Sequence, residues 1–128
     1  MIEWDKLFKV QIASSDISFH KHEVVKLMLV LKLLDKHKSE RSKIRIYTEF
    51  YVINSRKADV YYENIKSKES YIYEIQKEYT NRWLEELTKA YEGYRPLFVE
   101  SFDIIVIPLK ECPDSIPEIN KWLDKYLL

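Results

Sequence analysis

The sequence predicts an α/β protein in which helices flank a mixed four-stranded sheet. Three observations predict this class. A helical segment dense in apolar residues precedes three runs rich in β-branched and aromatic residues, which short polar turns separate. A second helical segment then leads to the continuous apolar run Ile104–Ile107, and a last helical segment follows it. The order α-β-β-β-α-β-α, with helices and strands alternating in its second half, favours a mixed sheet with helices on both faces.

The first helix is predicted from about Ser18 to His37. Its apolar residues are Val24, Val25, Leu27, Met28, Leu29, Val30, Leu31, Leu33 and Leu34. That density covers more than one face of a helix, so we expect this helix to be packed on two sides. Residues 1–15 are mixed in character and predict only a short strand or helix ahead of the main fold. The charged segment Lys36–Lys43 predicts a loop.

Three strands follow as a predicted antiparallel meander. The first is Ile44–Ile53, and Asn54 with Ser55 forms the turn after it. The second runs from about Lys57 to Asn64, and Lys66–Glu69 forms the next turn. The third runs from about Ser70 to Gln76.

The second half of the chain supplies the crossover and the last helix. A helix is predicted over about Tyr79–Tyr91, with Gly93 at its C-terminal cap, where a left-handed conformation is common. The strand Phe102–Leu109 is continuously apolar, which predicts a central strand covered on both faces. A last helix is predicted over Ile116–Leu127.

Composition bounds the protein class without assigning a function. The 128 residues predict a single domain over 1–128, and 46% hydrophobic residues exclude wholesale disorder. Lys and Arg total 21, as do Asp and Glu, so net charge gives no global signal for nucleic acid. The charged fraction of 33% and the single glycine suit a thermophile, although an AT-rich genome would bias the composition similarly.

The lone cysteine, Cys112, excludes an internal disulfide and a zinc site of several cysteines. We therefore expect a reducing, cytoplasmic location. The longest apolar run, Leu27–Leu31, is too short to span a bilayer, and no secretory signal is expected, so a membrane partner is not predicted. Nothing predicts a small-molecule cofactor.

Acidic residues on the second and third strands form the most informative constellation. Side chains alternate along a strand, so Glu74 and Gln76 share a face, and Asp59 lies about as far from the centre of the turn Lys66–Glu69 as Glu74 does. Two neighbouring carboxylates repel each other and are stable together mainly when a cation lies between them. Hard oxygen ligands suit Mg²⁺ or Mn²⁺.

The segments Lys57–Val60 and Glu74–Gln76, on consecutive strands after a helix, resemble the two acidic motifs of the PD-(D/E)XK nuclease superfamily, including its archaeal Holliday-junction-resolvase-type and viral members. The resemblance extends from the first helix to the fourth strand. It implies a restriction-endonuclease-like fold and metal-dependent cleavage of phosphodiester bonds. It also implies that Asp59 and Glu74 hold the metal, with the backbone carbonyl of Ile75 completing the coordination.

The sequence departs from this family at the third motif position. Gln76 stands where a lysine is usual, and it can orient water but supplies no positive charge. Lys57 lies on the face of Asp59 and is the candidate substitute. The proline that usually precedes the first motif aspartate is absent. The expected catalytic set is therefore Asp59, Glu74, Gln76 and Lys57.

Two further acids are candidate ligands. Glu23 opens the helical stripe of Leu27, Val30 and Leu34, and Glu49 lies within the first strand. Each is otherwise explained as a solvated acid, and Glu23 also as a first-turn acid that favours the helix dipole. Candidate phosphate-binding residues are Lys36, Lys38, Arg41, Lys43, Arg45, Arg82 and Lys89, although a basic cluster is more often a solvated loop.

His20 and His22 are two residues apart on the first helix and do not share a face, which makes them a poor metal pair. We interpret both as solvated first-turn residues.

The expected function is a magnesium-dependent nuclease that cuts DNA with structural selectivity or weak sequence preference. A homodimer would be the natural way to engage two strands. The first alternative is a catalytically silent nuclease-like domain that binds nucleic acid or protein, which the missing motif lysine favours. A second is a structural or regulatory adaptor without a nucleic-acid role, which the near-zero net charge favours.

Overall fold

The computed structural model describes residues 17–53, 56–94 and 99–127. Seven main elements follow in the predicted order: α1 (Ile17–Lys36), β1 (Ile44–Ile53), β2 (Arg56–Asn64), β3 (Glu69–Gln76), α2 (Asn81–Ala90), β4 (Ser101–Pro108) and α3 (Ile116–Leu123). The predicted turn at Asn54 and Ser55, and the prediction for residues 1–15, lie outside the described residues.

The four strands form one mixed sheet in the order β1-β2-β3-β4. The first two pairings are antiparallel and the third, between β3 and β4, is parallel. A tight turn joins β2 to β3, whereas the chain reaches β4 only after α2. The helix returns the chain to the end of the sheet at which β3 begins, and this makes a parallel pairing possible. The α/β class and the mixed four-stranded sheet are confirmed.

The prediction that the last strand is central is wrong, because β4 is an edge strand of the described sheet. Its apolar sequence has another cause. Ile105 and Ile107 pack with the cluster that contains α1 and α3, while Phe102 and Ile104 pack with the cluster that contains α2. Helices therefore cover both faces of an edge strand, so the prediction of double coverage holds.

The core is divided into two layers by the sheet. On one face, Val60, Tyr62 and Tyr73 pack under Leu29 of α1 and Ile119 of α3. On the other face, Tyr61 and Ile72 pack under Leu87 of α2. The alternation along β3 thus sends Tyr73 and Ile72 to opposite layers, as a regular strand requires.

The element ends differ from the predictions in places. Lys38–Lys43 is a 3₁₀ helix rather than a loop. Thr80 caps α2 by accepting a hydrogen bond from the Trp83 N–H (3.1 Å), so this helix begins after Tyr79. At the other end of the chain, the last α-helix stops at Leu123 and continues as the 3₁₀ turn Asp124–Tyr126.

Gly93 has a φ of +79°, a conformation that suits its position just after α2, although the cap residue itself is Tyr91.

Over the described residues, every helix lacks the combination of length and apolar content needed to cross a membrane.

Candidate active site

The side-chain alternation of β1 reverses at Glu49. Ile44 and Ile46 face the layer of α1 and α3, whereas Val52, which has the same parity, faces the layer of α2. Glu49 has a φ of 52°, a left-handed conformation that is unusual for a residue with a side chain. The composition of Ile44–Ile53 predicts a regular strand, so this reversal was not predicted.

The same reversal occurs in β2 directly opposite. Val60 and Tyr62 face the layer of α1 and α3, whereas Ala58 packs with the α2 layer. Paired residues bracket the break on both sides, with Thr48 opposite Val60 and Phe50 opposite Ala58. Asp59 therefore lies across from Glu49 at a point where neither strand follows the regular alternation.

Asp59 uses its carboxylate as part of the sheet. Its Oδ2 accepts a hydrogen bond from the backbone N–H of Ile75 at 2.7 Å, just past the last register pair of β2 and β3, Val60 with Tyr73. Its Oδ1 lies 3.2 Å from Nε2 of His22. The Asp59 side chain thus replaces a main-chain acceptor and is fixed beside Glu74.

Glu74 is the buried acid of the site, with 7% of the residue exposed. No described side chain donates a hydrogen bond to its carboxylate. Burial, followed by the negative charge of Asp59, raises the pKa of Glu74 to about 8, and Arg56 opposes this shift only in part. A buried carboxyl group with this environment is short of positive charge.

Helix α1 contributes charged groups on the other side of Asp59. His22 Nδ1 lies 3.2 Å from Glu23 Oε1, so the imidazole stands between Glu23 and Asp59. Burial disfavours the charged ring, but hydrogen bonds and charges from Asp59 and Glu23 outweigh it and raise the pKa of His22. The interpretation of His22 as a solvated first-turn residue is wrong.

A signal in the sequence could have found His22. The residue opens the stripe of Val25, Leu29 and Leu33, which is the buried face of α1. The stripe considered above was instead the one that Glu23 opens, and its first apolar residue, Leu27, is 38% exposed.

Lys26 is a second residue that sequence reasoning missed. Its Nζ lies 3.0 Å from Glu23 Oε2 and 2.7 Å from Glu49 Oε1, with only 12% of the side chain exposed. Burial disfavours its charge, but hydrogen bonds to Glu49 and Glu23 raise the pKa of Lys26. Both predicted accessory ligands, Glu23 and Glu49, are therefore engaged in ion pairs with this lysine.

The two candidates for the role of the motif lysine differ in their surroundings. Nζ of Lys57 lies 3.2 Å from Oε2 of Glu49, and the side chain is 45% exposed. Gln76 ends β3 half-buried, with Pro108 of β4 as its register partner. The structure thus links Lys57 to Glu49 and places Gln76 two residues beyond Glu74.

The carboxylates of Asp59 and Glu74 are compatible with the usual mode of magnesium binding, in which the protein supplies only part of the coordination shell. Mg²⁺ is commonly held by one or two carboxylates, with water and substrate oxygens completing the shell. Asp59 and Glu74 can supply such a pair, and the observation that fits a cation is that the buried Glu74 carboxylate accepts no hydrogen bond from a described side chain. Within residues 17–53, 56–94 and 99–127, no group of three or more His, Cys, Asp or Glu side chains could enclose a metal ion.

The candidate phosphate-binding residues lie in two groups, one at the end of α1 and the start of β1 and the other on α2. Lys36, Lys38, Arg41, Lys43 and Arg45 are exposed at the end of α1 and the start of β1. Arg45 is four residues from Glu49, or about 13 Å along a strand. On α2, Arg82 pairs with Glu86 at 3.2 Å, and Lys89 is exposed.

No protein-family model, no curated protein and no solved structure matches this chain.

Proposed function

We propose that this protein is a magnesium-dependent nuclease that hydrolyses phosphodiester bonds of DNA on a restriction-endonuclease-like fold. The observation that carries the proposal is the buried Glu74 carboxylate, which accepts no hydrogen bond from a described side chain and lies beside Asp59. A buried carboxylate beside a second acid is a candidate functional site, since most buried charges are paired with an opposite charge.

The topology supports the same proposal. A helix, an antiparallel three-stranded meander, a crossover helix and a parallel fourth strand follow in the order that the resembled superfamily uses. The two acids lie on the second and third strands, as the resemblance implies for the metal-binding aspartate and glutamate. The hydrogen bond between Asp59 and Ile75 gives the first acid a fixed position relative to the second.

Each site residue has a defined task in this proposal. Asp59 and Glu74 would hold Mg²⁺, which when bound supplies charge stabilisation and an acidified water molecule. The Ile75 N–H and His22 orient the Asp59 carboxylate. Gln76 would position water through its side-chain carbonyl. Lys57, held by Glu49, would provide positive charge near the phosphate.

A cleavage assay tests the proposal. Supercoiled plasmid, single-stranded DNA and branched DNA are incubated with Mg²⁺ or with EDTA, using wild type, Asp59→Asn and Glu74→Gln. We expect cutting that requires Mg²⁺ and falls at least about a hundredfold in either variant. The control Glu85→Gln removes an exposed carboxylate of α2 and should cut like wild type. An absence of cutting by wild type, or cutting retained in both site variants, contradicts the proposal.

A catalytically silent nuclease-like domain that binds nucleic acid is the second candidate. Two observations favour it: Gln76 occupies the usual lysine position, and Asp59 already contacts His22 and the Ile75 N–H. Such a domain would bind DNA with a steep dependence on salt and leave it intact with or without Mg²⁺. Binding without cleavage in the assay above would select this candidate.

A further inference from the structure

The α2 face of the sheet carries an exposed aromatic shelf, which we define as Tyr47 and Phe50 resting on Tyr61. Ring centroids of Tyr47 and Phe50 are 5.0 Å apart and the rings are stacked at 26°. Tyr61 lies beneath both, at 6.3 Å from Tyr47 and 5.2 Å from Phe50. Tyr47 is 43% exposed and Phe50 is 36% exposed, whereas Tyr61 is buried.

The reversal at Glu49 creates this shelf. Residues 47 and 50 differ in parity and would lie on opposite faces of a regular strand. The positive φ of Glu49 turns Phe50 to the face of Tyr47, where both contact the same buried tyrosine. A left-handed conformation costs a residue with a side chain about 1 kcal/mol. The chain thus maintains an unfavourable backbone conformation that exposes two stacked rings to solvent.

Arg45 continues the surface beyond Tyr47. It has the parity of Tyr47 and a side chain that is 58% exposed, with one contact to Glu63 at 3.5 Å. Lys43, Arg41 and Lys38 precede it along the chain and are all exposed. The acid within this segment, Glu40, is engaged by Asn64 and Lys66. The basic side chains at this end of β1 are complementary in charge to a phosphate backbone.

The other end of the shelf points toward the candidate active site. Tyr47 is two residues from Glu49, or about 7 Å along β1, and β3 lies two strand spacings away, or about 10 Å. Glu49 and Asp59 lie between the same flanking pairs of β1 and β2, and Asp59 accepts a hydrogen bond from the N–H of Ile75, the residue after Glu74 on β3. Glu74 has the parity of Ile72, which packs in the α2 layer, so nucleotides lying over the rings would run along the face that carries Glu74.

We propose that the aromatic shelf binds the bases of single-stranded nucleic acid by stacking. Every base has a flat π-face, so paired exposed rings beside cations form a platform that is tolerant of sequence. Bases within a duplex are already stacked and cannot lie on such rings, which makes the shelf selective for unpaired segments. A role of the shelf in guiding substrate to the acids rests on the proposed nuclease function, but the binding of single strands does not.

Binding is measured by fluorescence anisotropy of a labelled oligothymidine and of a labelled duplex, both in EDTA so that cleavage cannot contribute. We expect tighter binding of the single strand and a loss of about tenfold in affinity for Tyr47→Ala and for Phe50→Ala. Tyr47→Phe and Phe50→Tyr keep the rings and should bind like wild type. The control Tyr51→Ala removes a more exposed ring, at 64%, from the opposite face of the same strand and should have little effect.

Three outcomes of the anisotropy measurements overturn the shelf proposal. They are alanine variants that bind the single strand like wild type, a duplex bound as tightly as the single strand, and equal losses for Tyr51→Ala and Phe50→Ala. Thermal unfolding of each variant verifies that the fold is retained.

The alternative occupant of the shelf is a second copy of this chain. Sedimentation equilibrium tests it: a wild-type dimer that Phe50→Ala converts to a monomer, with oligonucleotide affinity unchanged, assigns the surface to dimerisation and overturns the proposal. A protein that binds the single strand through the shelf but cuts no DNA with Mg²⁺ supports the shelf while contradicting the nuclease proposal. If cutting requires Asp59 but binding of the single strand is unchanged in Tyr47→Ala and Phe50→Ala, the nuclease proposal is supported and the shelf proposal is contradicted.

Discussion

At the scale of single residues, Glu74 connects the electrostatics of the site to the stability of the protein. Its pKa rises from an ordinary value of 4.5 to about 8 because the group is buried and because Asp59 is nearby. The folded protein therefore retains a proton that the unfolded chain releases above pH 4.5. The folded state binds more protons between these two values, so the free energy of unfolding must fall as pH rises through that window.

We predict that Glu74→Gln removes much of this pH dependence. In EDTA, the wild type should lose stability on the order of a few kcal/mol between about pH 5 and pH 8, since one pKa unit corresponds to about 1.4 kcal/mol. His22 adds a loss in the same direction above its unfolded pKa of 6.5, so the difference between wild type and variant isolates Glu74. Urea denaturation at several pH values measures it.

A matched series with Mg²⁺ completes this experiment. A cation that shares Asp59 and Glu74 favours the charged carboxylate, so Mg²⁺ should stabilise the wild type at pH 8 and have a smaller effect on Glu74→Gln. Stability curves of the two proteins that run parallel from pH 5 to pH 8 in EDTA would contradict the buried, protonated state of Glu74.

Individual residues also show what the sequence could not provide. Asp59 and Glu74 were predicted from a short motif and from strand alternation. In the structure they lie on neighbouring strands, and Asp59 accepts a hydrogen bond from the N–H of Ile75, the residue after Glu74. His22 and Lys26 were missed because histidine and lysine side chains on a helix are usually solvated. Their roles depend on how α1 lies over β1 and β2, a tertiary relation that local patterns do not encode.

At the scale of the elements, strand limits were well predicted because β-branched and aromatic runs end at polar turns. Predicted Ile44–Ile53 is the observed β1, and β2 and β3 differ from prediction by one residue at their starts. The internal irregularity of β1 was not predictable in this way. A glycine usually marks a positive φ, but here the residue is Glu49, within a run that otherwise has the composition of a regular strand.

We predict that Glu49→Gly is more stable than Glu49→Ala by about 1 kcal/mol. Both substitutions remove the ion pairs with Lys26 and Lys57, so only the backbone preference differs. Glycine adopts a positive φ without steric cost, whereas alanine does not. Urea denaturation of the two variants gives the difference in the free energy of unfolding.

The neighbouring residue provides the control. Thr48 is not among the positive-φ residues, so Thr48→Gly should be less stable than Thr48→Ala, which is the usual order within a strand. If the glycine variant were less stable than the alanine variant at both positions, Glu49 would not have the positive φ described above.

At the scale of the whole molecule, the sheet separates two apolar layers that depend on each other through the strands. Ile107 of β4 and Ile72 of β3 are fully buried, with 0% exposure each, but lie in different layers. The sequence predicted both layers from helix–strand alternation. It did not predict the edge position of β4, because helices on both sides make an edge strand as apolar as a central one.

We predict that Ile107→Val and Ile72→Val each lower the free energy of unfolding by about 0.5–1.5 kcal/mol. The deleted methyl groups lie on opposite sides of the sheet and share no cavity, so the double variant should show the sum. Urea denaturation followed by far-ultraviolet circular dichroism should give one transition for all three proteins. Two separated transitions would show that the layers unfold independently.

The hydrogen bond from Ile75 to Asp59 has a further consequence. A main-chain proton inside the sheet is held by a side chain that is also offered to ligands, so any ligand that draws on that carboxylate weakens the bond. The amide resonance of Ile75 should therefore shift on occupancy, and its hydrogen exchange should accelerate if the oxygen is withdrawn. A single cross-peak can thus report what enters this site, even under conditions where no chemistry follows.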